Sequence, residues 1–196
     1  MKNIKTLRIL GGIHKGKPLK MASLEVTRSS KAILKESLFN TLSADILNIT
    51  FIEFFAGSGS VGIEALSRGA KFALFFEKNK ESFKILEWNL KNTFKDSTPY
   101  RAILGDTFIE YKNALKPLKS PTIAYIDPPF DTRENMQDIY KHCFNLIKTL
   151  DSKLFKIIII EHDSKLEIPA NLGEFSHYKT RKFGRSSLSY FAPNLK

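Results

Sequence analysis

Residues Thr50 to Gly62 read TFIEFFAGSGSVG. Phe51, Ile52, Phe54 and Phe55 make an apolar strand, Ala56-Gly57-Ser58-Gly59 breaks it, and Val61, Ile63, Ala65 and Leu66 resume as a helix. A strand that stops at a glycine turn and feeds a helix is the first half of a βαβ unit, and that junction is a ligand site. Glycine lets the backbone turn sharply and approach a ligand, while the helix N-terminus offers N–H groups with no partner inside the helix. Gly57, Gly59 and Gly62 also satisfy the dinucleotide pattern G-x-G-x-x-G, so the loop alone fits two classes of nucleoside-bearing ligand.

Downstream the alternation continues. Ser67-Arg68-Gly69-Ala70 ends the helix, with Gly69 just past its C-cap. Phe72 to Phe76 is a continuous apolar strand closed by Glu77, as suits a sheet covered on both faces. Residues 79–94 predict a helix with Phe83, Leu86, Leu90 and Phe94 on one side. Tyr100–Leu104 is a third strand closed by Gly105-Asp106, a short helix follows near Thr107–Ala114, and Thr122–Ile126 is a fourth strand ending in Asp127-Pro128-Pro129-Phe130. Residues 133–150 predict a helix with Met136, Ile139, Cys143, Ile147 and Leu150 inward, and Phe155–Ile160 is apolar enough to be central. The segments Glu174–Phe183 and Ser187–Ala192, joined at Gly184-Arg185, predict an antiparallel hairpin. The expected fold is α/β and Rossmann-like, a seven-stranded, mostly parallel sheet with helices on both sides.

Upstream, residues 7–26 predict a small β element, with a turn at Gly11-Gly12, a basic tip His14-Lys15-Gly16-Lys17, and Pro18 unsuited to a central strand. Thr27 is the expected N-cap of a helix reaching Leu42. Leu34, Leu38 and Leu42 share its apolar face, and Lys31 and Lys35 are turned towards solvent or a ligand. Residues 1–45 therefore read as a basic β-hairpin and helix extension, and 46–196 as a ligand-binding domain.

The net charge of +11 is segregated. Residues 1–40 carry nine Lys/Arg and two acids, residues 175–196 carry five Lys/Arg and none, and the 134 residues between are nearly neutral. Such an arrangement favours a polyanion-binding face assembled from both ends, with Arg8, Lys15, Lys17, Arg28, Lys31, Lys35, Arg181, Lys182 and Arg185 as candidates. No apolar run approaches the ~20 residues of a membrane-spanning helix, and the N-terminus lacks the apolar core of a secretory signal. The lone Cys143 excludes an internal disulfide, and His14, His142, His162 and His177 lack metal-ligand spacing, so no metal is assigned. His162, after Glu161, could edge the cleft or sit in a loop; Trp88 and Glu87 read as structural or solvated. A cytoplasmic monomer is expected.

Ligands of such sheets bind outside the carboxyl ends of the strands, where this chain puts Glu53, Glu77, Asp106 and Asp127. Four acids disfavour a pyrophosphate. Glu53, facing the loop, suits an ammonium group, and S-adenosylmethionine has an ammonium, a ribose and an adenine but no phosphate. On that reading Glu77 accepts from the ribose hydroxyls, Asp106 accepts from the adenine amino group, and Phe108 walls the ring. Phe55, Ala56, Gly57, Ser58, Gly59, Lys78 and Thr107 complete the candidate cofactor site.

Asp127-Pro128-Pro129-Phe130 selects the chemistry. Two prolines withhold two N–H donors, so the Asp127 carboxylate and the Pro128 carbonyl can accept both hydrogens of an exocyclic amine. Such acceptors localise the amine lone pair and aim it at a methyl donor, while Phe130 offers a face for a splayed base.

With the glycine loop and acids, this tetrapeptide resembles the amino-methyltransferases with a D/N-P-P-Y/F signature, which act on adenine N6, cytosine N4 or guanine N2. Arg8-Ile9-Leu10-Gly11-Gly12, Thr27-Arg28, Lys35-Glu36-Ser37-Leu38-Phe39-Asn40, Phe54-Phe55-Ala56-Gly57-Ser58-Gly59, the run Gly62 to Ala70 and Lys182-Phe183-Gly184 resemble, in order, the bacterial small-subunit ribosomal RNA guanine-N2 methyltransferase family. The resemblance implies a class I methyltransferase fold, S-adenosylmethionine as cofactor, and one guanine of 16S rRNA in the small subunit as substrate. The chain departs from the family's pattern at Ser29-Ser30, Ala32-Ile33, Glu53 and Phe130. The alternatives are a DNA adenine or cytosine methyltransferase, an NAD-dependent oxidoreductase and a catalytically silent RNA-binding factor.

Overall fold

The computed structural model describes residues 6–21, 28–129 and 136–194. Thr27, Phe130 and residues 133–135 lie outside them, as do the side chains of Arg28, Lys31 and Met136. The N-terminal strands β1 (Thr6–Arg8) and β2 (Pro18–Lys20) form a two-stranded antiparallel ribbon. Helix α1 (Arg28–Leu42) and a 3-10 turn (Ser43–Ile46) lead into β3 (Thr50–Phe54) and α2 (Ser60–Ser67). There follow β4 (Phe72–Glu77), α3 (Lys80–Thr93), β5 (Tyr100–Leu104), α4 (Thr107–Leu115), β6 (Thr122–Ile126), α5 (Met136–Lys148) and β7 (Phe155–Asp163). The chain closes with β8 (Asn171–Leu172), β9 (Phe175–Phe183) and β10 (Ser186–Pro193).

The main sheet has the order β5-β4-β3-β6-β7-β10-β9-β8, parallel through β7 and antiparallel beyond. All seven expected strands are present, and the two-residue β8 adds an eighth at the edge. It is too short for any periodic signal and forms only because Gly173, at φ 62°, turns the chain back onto β9. Strand β7 runs three residues beyond its apolar run, because β10 pairs with Glu161, His162 and Asp163.

Alternation along the strands divides the core. Phe51, Phe75, Tyr125 and Ile159 face α1, α2 and α3 through Leu38, Ile63 and Leu86. Ile52, Phe54, Phe76 and Ile160 face α4 and α5 through Tyr111, Cys143 and Ile147. Every β3 side chain is buried, the mark of a parallel strand covered on both sides. Ile9 and Leu19 of the ribbon and Leu34, Leu38 and Leu42 of α1 belong to the first cluster, so the described part of residues 1–45 shares its core with the sheet.

The run from Gly62 to Ala70 is what holds the ribbon. Glu64, fully buried, accepts from the Leu10 and Gly11 amides at 2.7 Å each, from Arg68 Nε at 2.8 Å, and from Lys35 Nζ at 3.2 Å. Ser67 Oγ accepts from the His14 amide and donates to the Gly11 carbonyl. Gly12, at φ 77°, lies so close to the Ser67 carbonyl that a Cβ would come within 1.7 Å of it. Helix α2 ends in a Schellman motif: Ala70 N donates to Ala65 O at 3.0 Å and Gly69 N to Leu66 O at 3.2 Å, with Gly69 at φ 109°.

Candidate active site

The order of strands reverses between β3 and β6, and the loop after β3 opens at that switch point. Phe55 takes φ 63°, Gly57 φ 54° and Gly59 φ 76°. A non-glycine residue in the left-handed region costs of order 1–3 kcal/mol, and Phe55 is held there by its ring, 5.5 Å edge-on from Phe108. A Cβ on Gly59 would sit 2.3 Å from Leu86 Cδ1, so the loop lies directly on α3.

Two carboxylates brace this loop. Glu53, 3% exposed, accepts from the α2 amides of Val61 at 3.3 Å and Gly62 at 2.7 Å. Glu53, expected to serve a ligand ammonium, turns its carboxylate to the α2 N-terminus, where partial positive charge and unpaired N–H groups attract an anion. Glu77 stands at the carboxyl end of β4 and is half-exposed; it accepts from Gly57 N and Asn79 N, each at 2.6 Å. It therefore stands at the loop's edge, each carboxylate oxygen held by a backbone amide.

Asp106 caps α4 through the Phe108 amide at 3.0 Å and pairs with Lys78 at 2.8 Å, so the lysine's hydrogen bond holds its carboxyl below the usual range. Lys78 is raised in return and is mostly exposed. Phe108 is half-buried between Phe55 and His142, each 5.5 Å away, and Thr107 and Ser58 are buried. Phe55, Ala56, Gly57, Ser58, Gly59, Glu77, Lys78, Asp106, Thr107 and Phe108 thus gather at the carboxyl ends of β3, β4 and β5.

Asp127 and Pro128 follow β6, the strand next to β3, with Asp127 half-buried, Pro128 buried and Pro129 exposed. Burial, with the negative charge of Asp127 added, pushes the Cys143 thiol up to about 12 and raises the Tyr140 phenol, so this free cysteine is no nucleophile. Tyr125, fully buried, donates to Glu161 Oε2 at 2.5 Å. Phe130 lies outside the described residues.

Sequence reasoning missed two buried polar residues that hold the site. Asn89, on the inner face of α3, donates to the Ser58 carbonyl at 2.8 Å and the Lys20 carbonyl at 2.9 Å and accepts from Lys20 N at 2.8 Å. It ties the glycine loop to β2. Glu64 is the other. The available signal was a polar side chain on an apolar helical stripe.

The basic candidates divide. Arg8 and Lys15 are exposed, Arg8 Nη1 bracing Gly16 O at 2.8 Å, and half-buried Lys17 reaches Thr93 O at 3.4 Å. Arg181, Lys182 and Arg185 are exposed on the C-terminal hairpin, where Arg181 meets Ser37 Oγ of α1 at 3.3 Å. Lys35 is corrected: it is 4% exposed, and burial lowers its pKa against the pull of Glu64. It joins the ribbon's anchor and cannot reach a surface polyanion. His162 is a buried strand residue, bonded through Nδ1 to Asp163 O and through Nε2 to Ser189 Oγ, each at 2.8 Å. Lys20 Nζ lies 3.6 Å over the ring of the part-exposed Trp88. Among the described residues no acid, cysteine or histidine cluster suits a metal, and no helix is long and apolar enough to cross a membrane.

A family model described as "Conserved hypothetical protein 95" matches residues 7–192. The putative rRNA methyltransferase YlbH of Bacillus subtilis is 27% identical, over 94% of this chain and 98% of its own. Ribosomal RNA small subunit methyltransferase D of Haemophilus influenzae is 32% identical over 87% of this chain and 90% of its own. The solved structure of the putative methyltransferase yhhF of Escherichia coli superposes with a TM-score of 0.77 at 23% identity, covering 98% of this chain and 100% of that one. The sheet order and closing hairpin are those of a class I methyltransferase. With nearly its whole length matched, the chain belongs to the family of the small-subunit ribosomal RNA methyltransferases D.

Proposed function

We propose that this protein methylates ribosomal RNA with S-adenosylmethionine, and that its target is the N2 amino group of a guanine in 16S rRNA of the small subunit. The observation that carries the proposal is the placement of Asp127-Pro128 directly after β6, the strand beside the one that delivers the glycine loop.

The site suits such a cofactor. Glu77 and Asp106 line the carboxyl ends of β4 and β5, which favours neutral ribose and adenine donors over a pyrophosphate, and the positive-φ glycines allow a nucleoside close to the backbone. When bound, S-adenosylmethionine supplies an electrophilic methyl on a sulfonium. The chain's own part is positioning. Glu77 accepts from ribose hydroxyls, Asp106 accepts from the adenine amine, and Phe55 with Phe108 forms the wall. Asp127 and the Pro128 carbonyl accept from the two amine hydrogens of the base, leaving the nitrogen lone pair directed at the methyl. The methylated amine is cationic and strongly acidic, so no separate strong base is needed.

The target base must leave its loop to reach Asp127, with Phe130 as its stacking face. Arg8, Lys15, Lys17, Arg28 and Lys31 on the N-terminal side, and Arg181, Lys182 and Arg185 on the hairpin, are the proposed RNA contacts. The Arg181–Ser37 contact brings the C-terminal hairpin against α1, which supports RNA contacts from both ends of the chain on that side.

Incubating the protein with methyl-labelled S-adenosylmethionine and small subunits from a strain lacking it should yield N2-methylguanosine by nuclease digestion and mass spectrometry. Label in adenine or cytosine instead would retain the methyltransferase and reject the guanine.

A further inference from the structure

The ribbon tip does not lie near the active site. Ile13 N donates to Ser67 O at 2.8 Å and His14 N to Ser67 Oγ at 3.0 Å, and Ser67 is the last residue of α2. Lys17 reaches Thr93 O, at the last residue of α3. Both helices run back from the carboxyl ends of the strands, so the tip sits at the amino ends, roughly 16 Å away by the length of a five-residue strand.

There it closes one side of a surface cavity of about 380 Å³, whose lining includes His14, Lys17, Phe94, Lys95 and Pro99. His14 packs edge-on against Phe94, ring centres 5.2 Å apart. Burial and the nearby Lys17 lower the His14 pKa, so the imidazole presents an uncharged face. Lys17 and Lys95 stand in its lining, Lys95 exposed, against the single acid Asp96. Beside them Ile13 is 84% exposed, although its own amide is pinned to α2. An outward isoleucine on a basic turn has the chemistry of an apolar wedge between bases with phosphate-neutralising neighbours.

We infer that this tip and cavity form a second RNA-contact site, holding an unpaired nucleotide of the substrate RNA distant from the target base. The inference rests on the ribosomal RNA reading above and extends it. The substrate must span the sheet from its carboxyl to its amino edge, so the target loop alone is an incomplete substrate. Aromatic and proline surfaces take the base, while Lys17 and Lys95 take the flanking phosphates. RNA is favoured over a protein partner because the lining sets two lysines against one acid beside an aromatic surface.

Equilibrium binding of two naked RNAs tests this: the target loop alone, and the loop with its adjoining helix and single-stranded flank. Lys95→Glu should weaken the longer RNA by roughly several-fold and lower the slope of log K against log salt by about one. Ile13→Ala should weaken the longer RNA without changing that slope. Binding of the short loop should be unchanged in both, and so should Lys116→Glu with Lys119→Glu, exposed lysines after α4 on the other face. An equal loss on both RNAs, or no loss on the longer one, overturns the inference. A loss seen only with the protein-covered particle overturns it in favour of a ribosomal protein. If the unaltered protein binds neither RNA better than an unrelated one yet methylates small subunits, the inference falls and the ribosomal RNA reading stands.

Discussion

Lys35 Nζ lies 3.2 Å from Glu64 Oε2, with 5% and 0% of the two side chains exposed. This pair joins α1 to α2, and the same carboxylate grips the amides of Leu10 and Gly11 and the Arg68 guanidinium. Removing one member of a buried ion pair leaves an uncompensated charge. Glu64→Ala is therefore expected to destabilise the fold by about 3–5 kcal/mol. Lys35→Met should cost less, because Glu64 keeps Arg68 and two amides. Urea denaturation of both variants measures the difference, and a larger loss in Lys35→Met would contradict Glu64 as the hub.

Glu53 tests whether the glycine loop is held from beneath. Hydrogen bonds donated to charged acceptors contribute about 1.5–3 kcal/mol each, so Glu53→Ala should lower stability by roughly 2 kcal/mol or more and weaken S-adenosylmethionine binding with it. Glu53→Gln retains one acceptor and should lie between. Calorimetric titration of the three proteins reads this; cofactor affinity lost without stability would restore Glu53 to direct ligand contact.

Asp127→Ala should lower kcat by at least ~100-fold, the scale of losing one group aimed at the reacting centre. Cofactor affinity should stay close to that of the unaltered protein. Asp127→Asn keeps a carbonyl acceptor and should retain more activity. Steady-state methylation with fluorescence titration of cofactor checks both, and undiminished turnover in Asp127→Ala would remove the proposed role.

His162 predicts an acid sensitivity. Burial lowers its pKa below the ordinary 6.5, opposed by its Asp163 contacts. The unfolded chain therefore takes up the proton first as pH falls. Stability linked to this group is complete above about 6.5 and is lost progressively below it, down to the folded-state pKa. His162→Gln, which can keep the Ser189 hydrogen bond, should flatten this part of the profile. Urea midpoints between about pH 5 and 8 measure it; identical slopes in both proteins would exclude His162 as the cause.

The strands and helices were legible because each carries its own periodicity. Phe51 and Ile52 alternate across β3, Leu34, Leu38 and Leu42 recur along α1, and Gly69 stands at the helix end the Schellman motif requires. The acids at the strand ends were legible too, since a parallel sheet puts its loops at one edge. Whether an acid faces outward or back into the fold was not. Glu53 and Glu77 end adjacent strands, yet one is buried against α2 and the other is half-exposed.

Sequence alone determined the alternation of elements, the glycine turn after β3 and the Asp-Pro-Pro segment after β6, all fixed by local pattern and chain order. Tertiary structure decided what Lys35, Glu64 and Asn89 do. A charge on a helix reads as solvated until the partner that neutralises it arrives from a distant part of the chain. Those partners, Leu10 and Gly11 for Glu64 and Ser58 with Lys20 for Asn89, lie 54, 53, 31 and 69 residues away in sequence. Burying a polar group is tolerable only when such hydrogen bonds are complete, and completeness belongs to the folded chain.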